Sequence, residues 1–247
     1  MGRQLVDVCR ADGRYVVVTG VERAGVVPQP ALDGVLVTAD LSVAFGGVDG
    51  VIDFAAPAAC TIVAARCAAL GLPYLVGSTA LGAADQEALA RAAAAIPVLA
   101  AANLSIGVNV LLELVGAAAR RLGAGFDVEL VELHHKHKKD APSGTALALA
   151  AAVREARPEL VEEHSRHGIT GPRSASALGV AAVRGGDVAG EHTVLFLGHG
   201  ERLELTHRAS SSVIFAQGAL TAMDWLRQAP PGLYGMRDVV GRAKPPA

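Results

Sequence analysis

The chain has 247 residues, 51% hydrophobic and 19% charged, enough apolar material for one or two buried cores, which excludes intrinsic disorder. Its 22 Lys and Arg against 24 Asp and Glu leave a net charge of -2, far from the basic balance of a sequence-blind nucleic-acid binder, so any cationic site is local. Twenty-eight glycines, abundant alanine and few aromatics (1 Trp, 3 Tyr, 5 Phe) point to small side chains packing helices onto sheets rather than to an aromatic-rich sandwich.

The opening Met1-Gly2-Arg3-Gln4 leads into no signal-peptide core, and no stretch of ~18 apolar residues lacks a charge or helix breaker, so a soluble, cytoplasmic protein is expected. From Arg14 the chain reads Arg-Tyr-Val-Val-Val-Thr-Gly-Val, a β-branched run expected of a strand buried on both faces. Residues 50–54 repeat that pattern. Between them Gly46-Gly47-Val48-Asp49-Gly50 precedes a strand instead of joining strand to helix, and so reads as a turn rather than a phosphate loop. Alanine-rich helices are predicted over 58–70 and 83–95, each followed by a short apolar strand, 73–76 and 97–101. This alternation predicts a doubly wound parallel α/β sheet. Ligands of such sheets sit outside the carboxyl ends of the strands, which here are Val21-Glu22-Arg23, Asp53 to Pro57, Gly77-Ser78-Thr79 and Ala102-Asn103.

Past Asn109 the pattern changes. A helix over 110–122 leads into 126–133, where apolar and charged residues alternate as in a half-exposed strand. Further strands are predicted over 180–184, 191–196 and 202–209, a mixed or antiparallel set, before a last helix over 216–226. We therefore expect a dinucleotide-type domain of residues 1–104 plus 216–247, interrupted by a second, α+β domain of residues 105–215. The three cysteines, Cys9, Cys60 and Cys67, lack CxxC spacing and read as buried small apolar residues in a reducing compartment.

The densest chemistry runs from Glu132 to Ala146. Its six consecutive residues His134-His135-Lys136-His137-Lys138-Lys139 form a cationic run in a negatively charged chain, where an anionic ligand would collect. Pro142, Ser143, Gly144 and Thr145 open an alanine-rich helix reaching about Glu155, so free N–H groups and a positive helix end lie beside that run, a corner suited to a carboxylate. Histidine titrates near neutrality and lysine can donate a proton, so the same residues could bind an acid and move a proton. A merely solvated basic face is the plain alternative. A metal site is another, since His135 and His137 would share a strand face.

The run His134-His135-Lys136-His137-Lys138-Lys139-Asp140-Ala141-Pro142-Ser143-Gly144-Thr145-Ala146 resembles the signature of the 4-hydroxy-tetrahydrodipicolinate (dihydrodipicolinate) reductases of lysine and diaminopimelate biosynthesis. The resemblance continues in family order through Val21-Glu22-Arg23, Ile52-Asp53-Phe54, Gly77-Ser78-Thr79, residues 101–109, Gly190-Glu191-His192-Thr193 and Phe215-Ala216-Gln217-Gly218-Ala219. It implies a Rossmann-like nucleotide-binding domain with an inserted mixed-sheet domain for substrate binding and oligomerisation, assembled as a homotetramer. It further implies hydride transfer from NADH or NADPH to a small cyclic dicarboxylate, with no metal. By the same resemblance His134 is the acid/base group, Lys138 the proton donor and His135 a substrate ligand, while Gly144 and Thr145 hold a substrate carboxylate. On the cofactor side Gly2 belongs to the phosphate loop, Glu22 takes the ribose hydroxyls and Arg23 meets a 2′-phosphate. Gly77, Ser78, Thr79, Ala101, Ala102, Asn103 and Leu104 line the nicotinamide.

The family's first strand and most of its Gly-rich loop are expected ahead of the first helix. This chain begins at what resembles the closing Met-Gly of that loop, with Glu22 at the usual spacing of 20 residues after Gly2; the reading is that an internal Met stands at the start. The expected consequence is a gap in the sheet and weakened hold on the pyrophosphate. Ser78 stands for a usual Thr, Ala80 for a usual Gly, and Ala55 and Ala56 for a polar pair. A cofactor-deficient relative that binds dicarboxylates or serves a structural role, and a His-rich metal-binding protein, are the competing functional readings.

Overall fold

The computed structural model describes residues 1–23, 25, 34–164 and 166–241. The chain forms two compact units, one of 1–105 with 213–247 and one of 106–212.

In the first unit α1 (Gly2–Asp12) closes on Gly13, whose φ of +73° suits a residue without a Cβ. Three parallel strands, β3 (Val51–Asp53), β4 (Tyr74–Val76) and β5 (Pro97–Ala100), alternate with α3 (Cys60–Leu70) and α4 (Ala83–Ala93), and β11 (Gly232–Tyr234) adds the fourth, in the order β11-β5-β4-β3. Strand period two divides the core. Tyr74, Val76 and Val98 pack with Cys60, Val63, Ala64 and Cys67 of α3 and Leu89 and Ala92 of α4. Leu75 and Leu99, equally buried, point to the other face, where α7 (Val213–Leu226) packs on β4 and β5. Helices thus cover both faces, as a doubly wound layer requires. The short α2 (Leu41–Ala44) starts on Asp40, whose carboxylate accepts from the Ser42 N–H at 2.8 Å. Residues 46–50 form the expected turn, with Gly47 at φ +69°. The cysteines are free and buried.

The valine run departs from expectation. Only Thr19–Val21 is a strand, β1, paired in parallel with β2 (Leu36–Thr38) in a separate two-stranded ladder. Val16, Val18 and Val21 are 86%, 45% and 54% exposed. A β-branched run favours extended backbone, but burial requires ladders and layers on its flanks, and among the described residues β1 has a partner on one side alone.

The second unit contains a five-stranded mixed sheet, ordered β10 (Arg202–Ala209), β9 (Gly190–Leu197), β6 (Asp127–His134), β8 (Ala177–Arg184), β7 (Val161–His164). β6 runs antiparallel to β9 and parallel to β8. Its burial alternates, with Val128, Leu130, Glu132 and His134 on the covered face. There α5 (Ile106–Leu122) and α6 (Gly144–Ala156) supply Leu111, Val115, Leu149 and Val153 to the core. α8 (Met236–Gly241) ends the described chain. No described helix is long and apolar enough to cross a membrane.

Candidate active site

The functional residues of the second unit gather where β6 ends and α6 begins. β6 stops at His134, and the chain turns through 135–138, the Lys138 N–H bonding the His135 carbonyl at 3.1 Å. His135 and His137 therefore do not share a strand face; their rings lie 6.3 Å apart. Among the described residues no group of three His, Cys, Asp or Glu side chains is placed to hold a metal ion. His135, Lys136 and His137 line a cavity of about 480 Å³ with Gly186 and Asp187. Lys138 is half-buried and its ammonium donates to both Asp140 oxygens at 2.9 Å. That ammonium holds the Asp140 carboxyl below its ordinary range.

Ser143 caps α6, its hydroxyl accepting from the Ala146 N–H at 3.2 Å. Gly144 stands exposed at the first helical position, with nothing within 4 Å of where a Cβ would sit, and Thr145 follows, half-buried. The helix carries no acid in its first turn, so its positive end faces no acid of its own there.

His134 is buried, and four residues without a role in the sequence argument surround it. Glu132, two positions back on the same strand face, accepts from His134 Nδ1 at 2.5 Å. The same fully buried carboxylate receives the Ser143 N–H at 3.0 Å and Arg184 Nη1 and Nη2 at 2.8 and 2.7 Å. Burial alone would push Glu132 up; the hydrogen bonds from Arg184, His134 and Ser143 outweigh it and hold the carboxyl below its ordinary value. His192, opposite Glu132 on β9, sets its ring edge-on to His134 at 5.1 Å between centroids and bonds the Ser143 hydroxyl at 3.0 Å. Burial first, then the neighbouring His134, pushes His192 down to about 4. Gly190 makes room for the imidazole, since a Cβ there would lie 2.9 Å from His134 Nε2. Glu132 was open to discovery from its i−2 spacing on an alternating strand. Arg184, 52 residues away, carries no local signal.

In the first unit the predicted loops follow β4 and β5, which are neighbours. Gly77 lies against Phe54 and Leu104; a Cβ would meet their side chains at 2.6 and 2.9 Å. Ser78 is buried and donates to the Ala55 carbonyl at 2.6 Å, while Thr79 is exposed. Asn103 Oδ1 accepts the Ser105 N–H at 2.9 Å; Ala101 and Asn103 are half-buried, Ala102 is exposed and Leu104 buried. Asp53, another unassigned residue, ends β3 and ties the ends together. Its carboxylate accepts the Tyr74 hydroxyl and the Ala55 N–H, both at 2.6 Å; burial and then Asp53 raise Tyr74 above the phenol range. Glu22 and Arg23 follow β1 in the separate ladder, both exposed, with the Arg23 N–H on Glu22 Oε1 at 2.9 Å. Gly2 opens α1, whose N-terminus has no side-chain cap and no acid in its first turn.

A doubly wound α/β unit with its loops at the strand ends, interrupted in sequence by a mixed-sheet unit carrying a buried histidine beside a helix start, has the architecture in which pyridine-nucleotide-dependent oxidoreductases are built. Residues 1–104 match the family model described as dihydrodipicolinate reductase, N-terminus, and residues 107–240 the one described as its C-terminus. The 4-hydroxy-tetrahydrodipicolinate reductase of Anaeromyxobacter dehalogenans is 46% identical over 256 aligned residues, spanning 98% of this chain and 94% of that one. The enzyme of the same name from Thiobacillus denitrificans is 44% identical with the same coverage. Among solved structures, a dipicolinate-bound dihydrodipicolinate reductase from Paenisporosarcina sp. TG-14 superposes with a TM-score of 0.78 over 95% of this chain and 92% of that one, at 21% identity. The chain belongs to the dihydrodipicolinate reductase family.

Proposed function

We propose that this chain reduces 4-hydroxy-tetrahydrodipicolinate to tetrahydrodipicolinate in the diaminopimelate and lysine pathway, with NADH or NADPH as reductant. The observation that carries this reading is the junction of the cationic strand end with the start of α6. A buried His134, a half-buried Lys138 and the first turn of α6 at Gly144 and Thr145 bring together, in one stretch of backbone, an acid/base group, a cation and a positive helix end suited to a carboxylate.

In this reading the N–H groups of Gly144 and Thr145 bind one substrate carboxylate, and His135 binds substrate beside the cavity it lines. Lys138 gives the proton that accompanies reduction, exchanging its Asp140 contact for the anion. His134 Nε2 takes the ring C–H proton next to C4 and passes it to the 4-hydroxyl, so that the C–H and C–O bonds break, a C=C forms and water leaves; the hydride and the Lys138 proton are then the net addition. The reduced nicotinamide supplies the hydride. Gly77 to Thr79 and Ala101 to Leu104 would hold its ring end, Glu22 the ribose hydroxyls, Arg23 a 2′-phosphate, and Gly2 at the uncapped start of α1 the pyrophosphate. The cofactor fits these residues in kind: an open helix start, small loops at neighbouring strand ends and an exposed acid beside an exposed arginine.

Assembly into a tetramer is supported by the sheet face opposite α5 and α6, where Val131 and Val183 are 38% and 46% exposed.

Oxidation of NADPH with freshly prepared substrate tests the proposal. His134→Gln and Lys138→Ala are each expected to lower kcat by ~10²-fold or more with folding unchanged; wild-type rates in both would overturn it. Arg23→Ala should raise KM for NADPH and leave that for NADH in place. Light scattering on the purified chain reads the assembly.

A further inference from the structure

The Glu132 carboxylate is fully buried and receives four donors from three elements: His134 Nδ1 at the end of β6, the Ser143 N–H at the cap of α6, and both terminal nitrogens of Arg184 at the end of β8. A carboxylate offers about four lone-pair sites, so none is left over. Arg184 Nη2 also reaches the Asp140 carbonyl at 2.7 Å, in the segment between His134 and α6. We infer that Glu132 is the positioning residue of this site, fixing His134 in one tautomer and locking the helix start that binds a carboxylate to the same side chain. The inference rests on the reading of His134 as the acid/base group.

The argument is one of donors and acceptors. An ionised carboxylate can only accept, so the proton of the Glu132–His134 bond resides on Nδ1. Nε2 is then the single nitrogen of that ring able to take up or release a proton toward a ligand. When it takes one, Glu132 remains ionised between His134 and Arg184, and the added charge of the imidazolium faces a carboxylate already in contact. The Arg184 fork keeps the carboxylate ionised and fixes its plane, which a single lysine could not do. His192 closes one side of the His134 ring, its Nε2 engaged by the Ser143 hydroxyl, and Gly190 leaves space beside Nε2. One residue thereby sets two distances that the chemistry needs together: the acid/base nitrogen and the N–H groups at Gly144 and Thr145.

Nitrogen-15 NMR of the full chain with labelled histidine, under conditions where the ring is neutral, reads the tautomer directly. The wild type is expected to show His134 protonated on Nδ1. In Glu132→Gln, whose amide can turn its NH2 toward the ring, and in Glu132→Gln/Arg184→Met, which leaves no unpaired buried charge, that signature should be lost and kcat should fall ~10- to 100-fold. The double variant guards against a misfolded single one. An Nε2-protonated wild type, or an unchanged tautomer and rate in the double variant, overturns the inference. His134→Gln at the wild-type rate would overturn the underlying reading instead, whereas an inactive His134→Gln beside a fully active double variant overturns this inference alone.

Discussion

Ala80 is the one non-glycine residue with positive φ among those described, at +61°, and it stands just beyond the Gly77-Ser78-Thr79 loop. The left-handed region costs an L-residue ~1 kcal/mol through its Cβ. Ala80→Gly should therefore raise stability by about 1 kcal/mol, read as a higher urea midpoint. His192 makes an opposite case, a side chain that folding keeps uncharged. With its folded value near 4 against an ordinary 6.5, the unfolded chain binds the proton first. Its contribution is harmless above pH 6.5, and stability falls as pH drops toward 4. Between pH 6.5 and about 5, above the titration of ordinary carboxylates, the loss from this group approaches ~2 kcal/mol. His192→Asn should flatten that slope in urea titrations, leaving a smaller one from His207, which burial also lowers. Gly190→Ala would press a methyl to 2.9 Å from His134 Nε2 and should cut kcat at least tenfold while the far-ultraviolet spectrum stays unchanged. Legibility at this scale followed locality. His134, Lys138, Gly144 and Thr145 lie within one stretch and were readable there; Arg184 and His192 enter through strand pairing, which no short window of sequence encodes.

At the level of elements, α7 comes so close to the 101–104 loop that a Cβ on Gly218 would lie 1.8 Å from the Leu104 carbonyl oxygen. No rotamer relieves a clash with backbone, so Gly218→Ala should cost ~1–3 kcal/mol. Because it moves Leu104, it should also raise KM for the nucleotide; thermal unfolding and initial rates check the two effects. The long strands β6, β9 and β10 and the alanine-rich helices were legible because each presents enough residues to show a period. β2, β7 and β11 span three or four residues, no fewer than the predicted β3, β4 and β5, but no clear apolar run bounded by a helix marks them, and they exist because a neighbouring strand accepts them. The valine run shows the reverse: a strong local preference for extended backbone, with β1 laddered on one side alone among the described residues and Val16, Val18 and Val21 exposed.

On the scale of the whole chain, the first unit is discontinuous, its closing pieces α7 and β11 lying beyond the second unit. β5 pairs with β11, Val98 with Leu233, a loop closure of more than a hundred residues that makes this pairing slow relative to local ones. In pulse-labelled hydrogen exchange during refolding, amides of 106–212 should gain protection first, and those of β4 and β5 only along with α7. Protection of β4 and β5 ahead of α7 would contradict this order. The consequence reaches into synthesis. At ~5–20 residues per second, the ribosome needs roughly 5–20 s to make the intervening hundred or so residues. Throughout that interval the emerged β3-β4-β5 layer has one face without α7 and β5 without its outer partner. A cell making this protein must shield that half-built sheet, and translation pauses within 106–212 would lengthen the exposure.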